Sequence, residues 1–488
     1  MNAQEAAAAF QSCNEAISAV SPVSASPCNT RFALVDCNNF YASCETLFRP
    51  DLRHKPIVVL SNNDGCIVAR NKIAKAIGIK MGVPYFKVKA LLQQHQAAVF
   101  SSNYALYADI SRRVMQTLDS LCPQVEVYSI DEAFLDLATL TEADWTGYGH
   151  QVRQRVMQHT GIQVCVGIAP TKTLAKLANY AAKQYPATGG VVDLSSPQRR
   201  DKLLAITPVA EVWGVGRQLE RALQQLGITT AAQLAAAPSD WIRQRFSVVL
   251  ERTAAELRGV SCLALQQEPP PRQQIVASRS FGERITCVDA MQQAITLYIS
   301  RAAEKLRQQQ LQAGMLQVFI RTSAFANMPY YSNSASMMLP QASADTRVLL
   351  AHAITLLARI WRDGYQYAKA GVMLADLTPQ HVQQLQLALV ADTVAEPSAD
   401  YVSNTATARA VASHAKGDVR GDGRHGNRDI HVDQRRSERL MQVMDSLNQR
   451  QRGQLFFASQ GMDPDWQMKR QLLSPAYTTS WQQLPYVG

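Results

Sequence analysis

The chain has no pair of cysteines at C-x-x-C spacing and no run of about 18 apolar residues. The first absence leaves a structural zinc site without its usual thiolate pairs. The second leaves no candidate for a membrane-spanning helix. Residues 1–30 carry no Lys or Arg and are interrupted by Asn14, Glu15 and Pro22, so they do not read as a secretory signal. The cysteines number nine, an odd count scattered along the chain, which predicts free thiols in a reducing cytoplasm. Acidic residues are the scarcer charge: 39 Asp and Glu face 49 Lys and Arg, for a net +10. That surplus suits a polyanionic partner such as nucleic acid. What is present is ample apolar residue, 47% of 488, enough for about three domains.

Residues 1–30 are rich in Ala and Ser and predict a disordered extension. From residue 31 to about 208, strand-like and helix-like segments alternate, which predicts an α/β or α+β domain. A helical piece follows over 209–260, then a linker containing Pro269, Pro270 and Pro271. A second mixed domain is expected over 273–378, with strands near 275–285, 316–322 and 371–377 and helices near 290–310 and 346–362. Residues 391–437 are poor in large apolar side chains and read as disordered. A short helical stretch with Leu440, Val443 and Leu447 comes next. Phe456, Phe457, Trp466 and Trp481 then mark a tail that should fold against its own body or a partner.

The apolar run Phe32-Ala33-Leu34-Val35 predicts a buried strand that delivers Asp36 at its end, followed by a helix carrying Glu45. Val125-Glu126-Val127 and Ala133-Phe134-Leu135 predict two strands with Asp131 and Glu132 near their junction. Three carboxylates gathered in one place need cations between them, and oxygen donors favour Mg²⁺ or Mn²⁺ over zinc. The same residues also suit a helix cap at Asp36 and a solvated turn at Asp131-Glu132.

A second strand, Val164–Ala169, leads through Pro170-Thr171 into a helix whose one face carries Lys172, Lys176 and Lys183. Arg70, Lys72, Lys75 and Lys80 form another basic cluster. Both clusters suit phosphates, and both also suit a solvated lysine face. Gly214 and Gly216 precede a helix with Leu219, Leu223 and Leu226. Such a turn exposes amides to a phosphate, and a tight helix–helix turn needs the same residues.

Taken in order, these pieces resemble the Y-family translesion DNA polymerases, and within them the UmuC-type catalytic subunit of DNA polymerase V and its plasmid-borne relatives. The resemblance runs over about 31–387 and resumes from about 437 to the end. It rests on Asp36-Cys37-Asn38-Asn39-Phe40-Tyr41-Ala42-Ser43-Cys44-Glu45, Ser61-Asn62-Asn63-Asp64-Gly65-Cys66, Tyr128-Ser129-Ile130-Asp131-Glu132-Ala133-Phe134, Ser278-Arg279-Ser280-Phe281-Gly282-Glu283-Arg284, and Met468-Lys469-Arg470 with Leu473-Ser474-Pro475.

It implies an α+β right-hand polymerase with a ferredoxin-like palm (31–54 and 101–195), small fingers (55–100), a helical thumb with a helix-hairpin-helix (196–262), a linker (263–272) and an α/β little finger (273–378). A disordered insert (379–437) and a C-terminal UmuC-type tail (438–488) complete it. The implied activity is error-prone DNA synthesis past lesions, as in SOS mutagenesis, without proofreading. The alternative is a non-catalytic scaffold that binds damaged DNA and recruits repair proteins; a nucleotide cyclase is a third reading.

The resemblance assigns Asp36, Asp131 and Glu132, with the Cys37 carbonyl, to two Mg²⁺ ions, with Mn²⁺ as a substitute. Asp36 and Asp131 would bridge the ions, and Glu132 would hold the one that activates the primer 3′-hydroxyl. Phe40, Tyr41, Lys75 and Lys183 are assigned to the nucleotide, with Tyr41 as the gate against ribose. Gly214, Gly216, Lys172, Lys176, Arg279 and Arg284 are assigned to DNA. Implied partners are primer–template DNA, dNTP, a UmuD′-type dimer and a RecA filament, in a cytoplasmic, nucleoid-associated setting. Gln384-Leu385-Gln386-Leu387-Ala388 matches a sliding-clamp peptide but has Ala388 where the aromatic anchor belongs.

Overall fold

The computed structural model describes residues 30–141, 144–266, 268, 271–380, 426–450, 455–462 and 465–484. The extension 1–29 and the clamp-like peptide 384–388 lie outside the described residues. The chain divides into two compact units, Met1–Pro270 with Lys469–Gly488, and Pro271–Met468.

The first unit contains β1 (Phe32–Cys37), β2 (Ile57–Leu60), β3 (Ile67–Arg70), β4 (Ala98–Ser101), β5 (Val125–Val127), β6 (Glu132–Asp136), β7 (Val164–Ala169) and β8 (Val191–Asp193). Its main sheet has the order β5-β6-β1-β7-β8, with β1 central and antiparallel to both neighbours. Every residue of β1 is buried. This is the signature of a strand covered on both faces, which the apolar run predicts.

Strand alternation then sorts the side chains. Ala33, Val35, Cys37, Ala133 and Leu135 enter one core with the helices Tyr104–Asp119 and Trp145–Thr160. Phe32, Leu34 and Phe134 enter another, under the helix Lys172–Gln184. That helix is capped by Thr171, whose hydroxyl accepts from the Leu174 amide. It lies directly on β7 because Gly167 has no side chain. A Cβ there would sit 2.3 Å from the Ala175 carbonyl oxygen and the Asn179 nitrogen.

A smaller sheet, β3-β2-β4, forms a separate layer with the helices Lys72–Ala76 and Tyr85–Gln94. Beyond β8 come the helices Pro197–Ile206, Arg217–Gln225, Ala231–Ala236, Ser239–Arg245 and Val248–Leu257, packed through Leu203, Leu223, Leu234, Leu250 and Leu257.

The second unit holds β9 (Gln274–Ile285), β10 (Leu311–Arg321), β11 (Ser332–Ser343) and β12 (Tyr367–Pro379) in the antiparallel order β11-β10-β12-β9. The helices Val288–Gln308 and Thr346–Ile360 bury Met291, Ile295, Tyr298, Ala302, Leu306 and Leu349 against it. β11 has no counterpart among the sequence expectations. Its Ser-rich stretch carries Pro340, is largely exposed, and sits at the sheet edge, where proline is tolerated and the apolar alternation fades.

Two further expectations need correction. The helix Gly426–Arg450 begins inside the segment 379–437 that composition reads as disordered. Arg, Gln and Glu are good helix formers even where apolar residues are few. The tail expected as one domain over 438–488 is divided at Met468/Lys469. Trp466 is buried against Phe281 and Tyr298 in the second unit, whereas Tyr477 is buried in the core of the first. The seven cysteines of the described residues are all free, as expected. Among the described residues no helix is long and apolar enough to cross a membrane.

Candidate active site

A cleft of about 490 Å³ opens at the end of β1, lined by Asp36, Cys37, Phe40, Tyr41, Arg70, Lys75, Asp131 and Lys183 among others. All of these are expected at the site from the sequence except Arg70, which stands there only in a basic cluster. Arg70 ends β3, and its buried Nε has no hydrogen-bond partner. Nothing at sequence level separates it from its lysine neighbours, because only the β2–β3 pairing aims it into the cleft.

Asp36 and Glu132 are brought together by register. They stand directly opposite on β1 and β6, on the face covered by the helix Lys172–Gln184, and their carboxyls share a hydrogen bond. Lys183 Nζ donates to Asp36 Oδ2 at 2.5 Å, and Lys176 Nζ donates to Glu132 Oε2 at 2.8 Å. Burial pushes the Asp36 carboxyl up to about 7; Lys183 opposes this and Glu132 adds to it. Glu132 moves down: burial works against its ionisation but is outweighed by the hydrogen bonds with Asp36 and Lys176. The two carboxyls therefore titrate together, with protonation favoured at Asp36.

Asp131 follows the β5–β6 turn and lines the same cleft. Its Oδ1 accepts from the Ser129 hydroxyl at 2.6 Å, and the Cys37 amide donates to its backbone oxygen at 2.9 Å. The three carboxylates share one neighbourhood without closing on a common point. Among the described residues no group of three His, Cys, Asp or Glu stands close enough to hold a metal. Each carboxylate also has a partner outside the trio: Lys183 for Asp36, Lys176 for Glu132 and Ser129 for Asp131. Burial and the adjacent carboxylates push the Cys37 thiol far above its ordinary range, and its side chain belongs to the core.

Tyr41 lies on the helix Phe40–Leu47 and stacks on Tyr107, ring centroids 4.4 Å apart. Tyr104 meets the same ring edge-on at 6.4 Å. Behind it, Glu45 is fully buried and accepts from the Tyr107 hydroxyl at 2.6 Å.

The residues expected to touch DNA fare differently. Lys172 is 4% exposed; its ammonium is taken by Glu126 and by the Ala264 carbonyl at 2.8 Å, so it has no face to offer a phosphate. Lys176 is likewise occupied by Glu132, under the rings of Tyr128 and Trp213. The expectation of one solvated lysine face thus fails at these two positions. The same helical spacing places them over carboxylates. Gly214 has φ 91°, which favours glycine, and Gly216 stands before the helix Arg217–Gln225 with open space where a Cβ would point. Arg279 and Arg284 lie on β9, in the second unit.

Residues 35–180 match the impB/mucB/samB family, residues 272–387 match the impB/mucB/samB family C-terminal domain, and residues 438–487 match a domain of unknown function. Protein ImpB of Salmonella typhimurium is 48% identical over 458 residues, spanning 93% of this chain and 99% of that protein. Protein UmuC of Salmonella typhimurium (strain LT2) is 47% identical over 457 residues, with the same coverage of 93% and 99%. Among solved structures, a Y-family DNA polymerase chimera of Dbh and Dpo4 superposes with a TM-score of 0.58 at 22% identity, covering 72% of this chain and 99% of the chimera. The last comparison speaks to the fold. The near-complete match to ImpB and UmuC, together with both family domains, means that the chain belongs to the impB/mucB/samB family, the UmuC-type branch of the Y-family DNA polymerases.

Proposed function

We propose that the cleft at Asp36 carries out the translesion DNA synthesis of this family, joining a dNTP to a primer 3′-hydroxyl by two-metal phosphoryl transfer. The observation that carries the proposal is one cleft lined by acidic Asp36 and Asp131, basic Arg70, Lys75 and Lys183, and the ring of Tyr41. Asp36, Asp131, Glu132 and the Cys37 carbonyl would hold two Mg²⁺ ions, and Mn²⁺ also suits these donors. They fit because all are hard oxygen donors and because burial makes a bare charge on Asp36 costly, which a bound cation would relieve. When bound, such ions stabilise the attacking and leaving oxygens of an in-line displacement.

The chain's own groups do the rest. Lys183 and Lys75 give point charges to the triphosphate, and Arg70 offers a planar fork. For Lys183 this means exchanging Asp36 for a phosphate oxygen. Tyr41, braced by Tyr107, would clash with a ribose 2′-hydroxyl and so favour dNTP. The open backbone at Gly216 suits a DNA phosphate. Arg279 and Arg284 would contact the template–primer backbone from the second unit. By family likeness we further propose a UmuD′-type dimer and a RecA filament as partners, in the cytoplasm on nucleoid DNA.

Single-nucleotide incorporation opposite an undamaged base and an abasic site tests this directly. The expected result is Mg²⁺-dependent incorporation at both, with dNTP preferred over rNTP. DNA binding without incorporation, partners included, would instead support a scaffold. A cyclic product from ATP or GTP alone would support a cyclase.

A further inference from the structure

The C-terminal match to a domain of unknown function ends in a segment that returns to the catalytic unit. Residues Lys469–Tyr477 pack against β4, the start of the helix Tyr104–Asp119 and the 61–66 turn, without lining the cleft. On one side, the Ser101 amide donates to the Leu472 carbonyl at 2.9 Å, and the Leu472 amide donates to Ser101 Oγ at 3.0 Å. Leu473 thereby adds a parallel bridge to the free edge of β4. Two residues on, Asn103 Nδ2 donates to Ser474 Oγ at 2.9 Å and approaches the Ser474 and Pro475 carbonyls at 3.3 and 3.4 Å. Asn103 is also the N-cap of the helix Tyr104–Asp119, its Oδ1 accepting from the Leu106 amide. That helix begins with the two rings, Tyr104 and Tyr107, that meet Tyr41.

On the other side, the Lys469 amide donates to Asn63 Oδ1 and the Gln471 amide to Asp64 Oδ2, both at 3.0 Å. Asn63 and Asp64 both hold positive φ, 57° and 50°, a costly conformation for residues with side chains. Their turn feeds β3, whose Val68, Ala69 and Arg70 line the cleft. The segment is pinned at its far end by Tyr477, stacked on Phe48 at 4.6 Å and buried in the palm core.

We propose that Lys469–Tyr477 is a specificity element of the nucleotide site: by gripping Asn103 and the 61–66 turn it fixes Tyr107 behind Tyr41 and so sets how strictly the cleft excludes ribonucleotides. Ser474 and Asn103 are positioning residues, acting through Tyr104 and Tyr107. The proposal rests on the reading of Tyr41 as the sugar gate.

The test is the ratio of rNTP to dNTP incorporation efficiency, measured with the full-length chain on one primer–template. The same ratio is taken in nucleotide affinity on a dideoxy-terminated primer, which needs no chemistry. Tyr41→Ala examines the gate itself and is expected to raise the ratio at least about a hundredfold. Asn103→Asp keeps the helix cap but replaces its donors with acceptors, and is expected to raise the ratio about tenfold. Ser474→Ala, the milder variant should Asn103→Asp fold poorly, is expected to raise it about fivefold. Trp481→Ala, four residues beyond the segment and 91% exposed, is expected to leave it unchanged. A purely structural role would lower dNTP and rNTP efficiency together and leave the ratio alone. If Tyr41→Ala moves the ratio and both Asn103→Asp and Ser474→Ala leave it at the wild-type value, the positioning proposal falls alone. If Tyr41→Ala does not move it, the gate reading falls and takes the proposal with it.

Discussion

Lys183 Nζ stands 2.5 Å from Asp36 Oδ2, one helical face above the strand end that carries the carboxylate. A lysine expected to hold a triphosphate therefore rests on a carboxylate expected to hold metal. Metal and nucleotide would separate the two, each taking one partner. Lys183→Ala removes the point charge without touching the carboxylates. It is expected to raise the dNTP KM about tenfold while leaving DNA affinity unchanged, as read by steady-state incorporation and by DNA titration.

The joint titration of Asp36 and Glu132 gives a pH signature. Asp36 has its carboxyl raised to about 7, so the folded chain holds a proton there that the unfolded chain releases near pH 4. Stability from this group is full below the unfolded value and is lost as pH rises through 7. A divalent cation competes with the same proton. The Mg²⁺-induced rise in Tm is therefore expected to be small at pH 6 and larger at pH 8. Equal rises at both would contradict protonation at Asp36.

Glu45 is a second raised carboxyl. Burial pushes it up to about 7 against the lowering effect of the Tyr107 and Ser474 hydroxyls, and its Oε2 has no hydrogen-bond partner. By the same sign, it favours the folded state below pH 4.5 and loses that contribution as pH rises through 7. Glu45→Gln keeps an acceptor for Tyr107 and removes the charge. Thermal unfolding should show the variant close to wild type at pH 5 and more stable at pH 8.

Lys172 is expected to matter for stability and not for DNA. Its pairing with Glu126 is buried, and Glu126 Oε2 also accepts from the Gln266 amide at 2.6 Å. Lys172→Met strands that carboxylate and should cost roughly 3–5 kcal/mol in denaturant unfolding. The slope of DNA affinity against salt should stay as in wild type, because no phosphate contact is lost.

Much of the site was legible because strand arithmetic is local. An apolar run ending in Asp36 and two strands meeting at Asp131-Glu132 are local patterns; the antiparallel pairing of β1 with β6, which sets Asp36 opposite Glu132, comes from the structure. The spacing of Lys172, Lys176 and Lys183 correctly places them on one face. It could not say that Glu126, Glu132 and Asp36 lie beneath that face, since the acidic partners are 46, 44 and 147 residues away. Arg70 and Asn103 were silent for the same reason: each acts through a tertiary contact that no periodicity encodes. β11 was missed because an exposed, Ser-rich edge strand has no apolar alternation to read.

The central claim is that Asp36, Asp131 and Glu132 seat two divalent ions when DNA and nucleotide are bound. Counting Mn²⁺ by electron paramagnetic resonance, on the full-length chain with primer–template and a non-hydrolysable dNTP, tests it most directly. The account predicts two ions per chain for wild type and fewer for Asp131→Asn and Glu132→Gln, each with DNA affinity retained. Unchanged occupancy in a chain carrying both substitutions would contradict it.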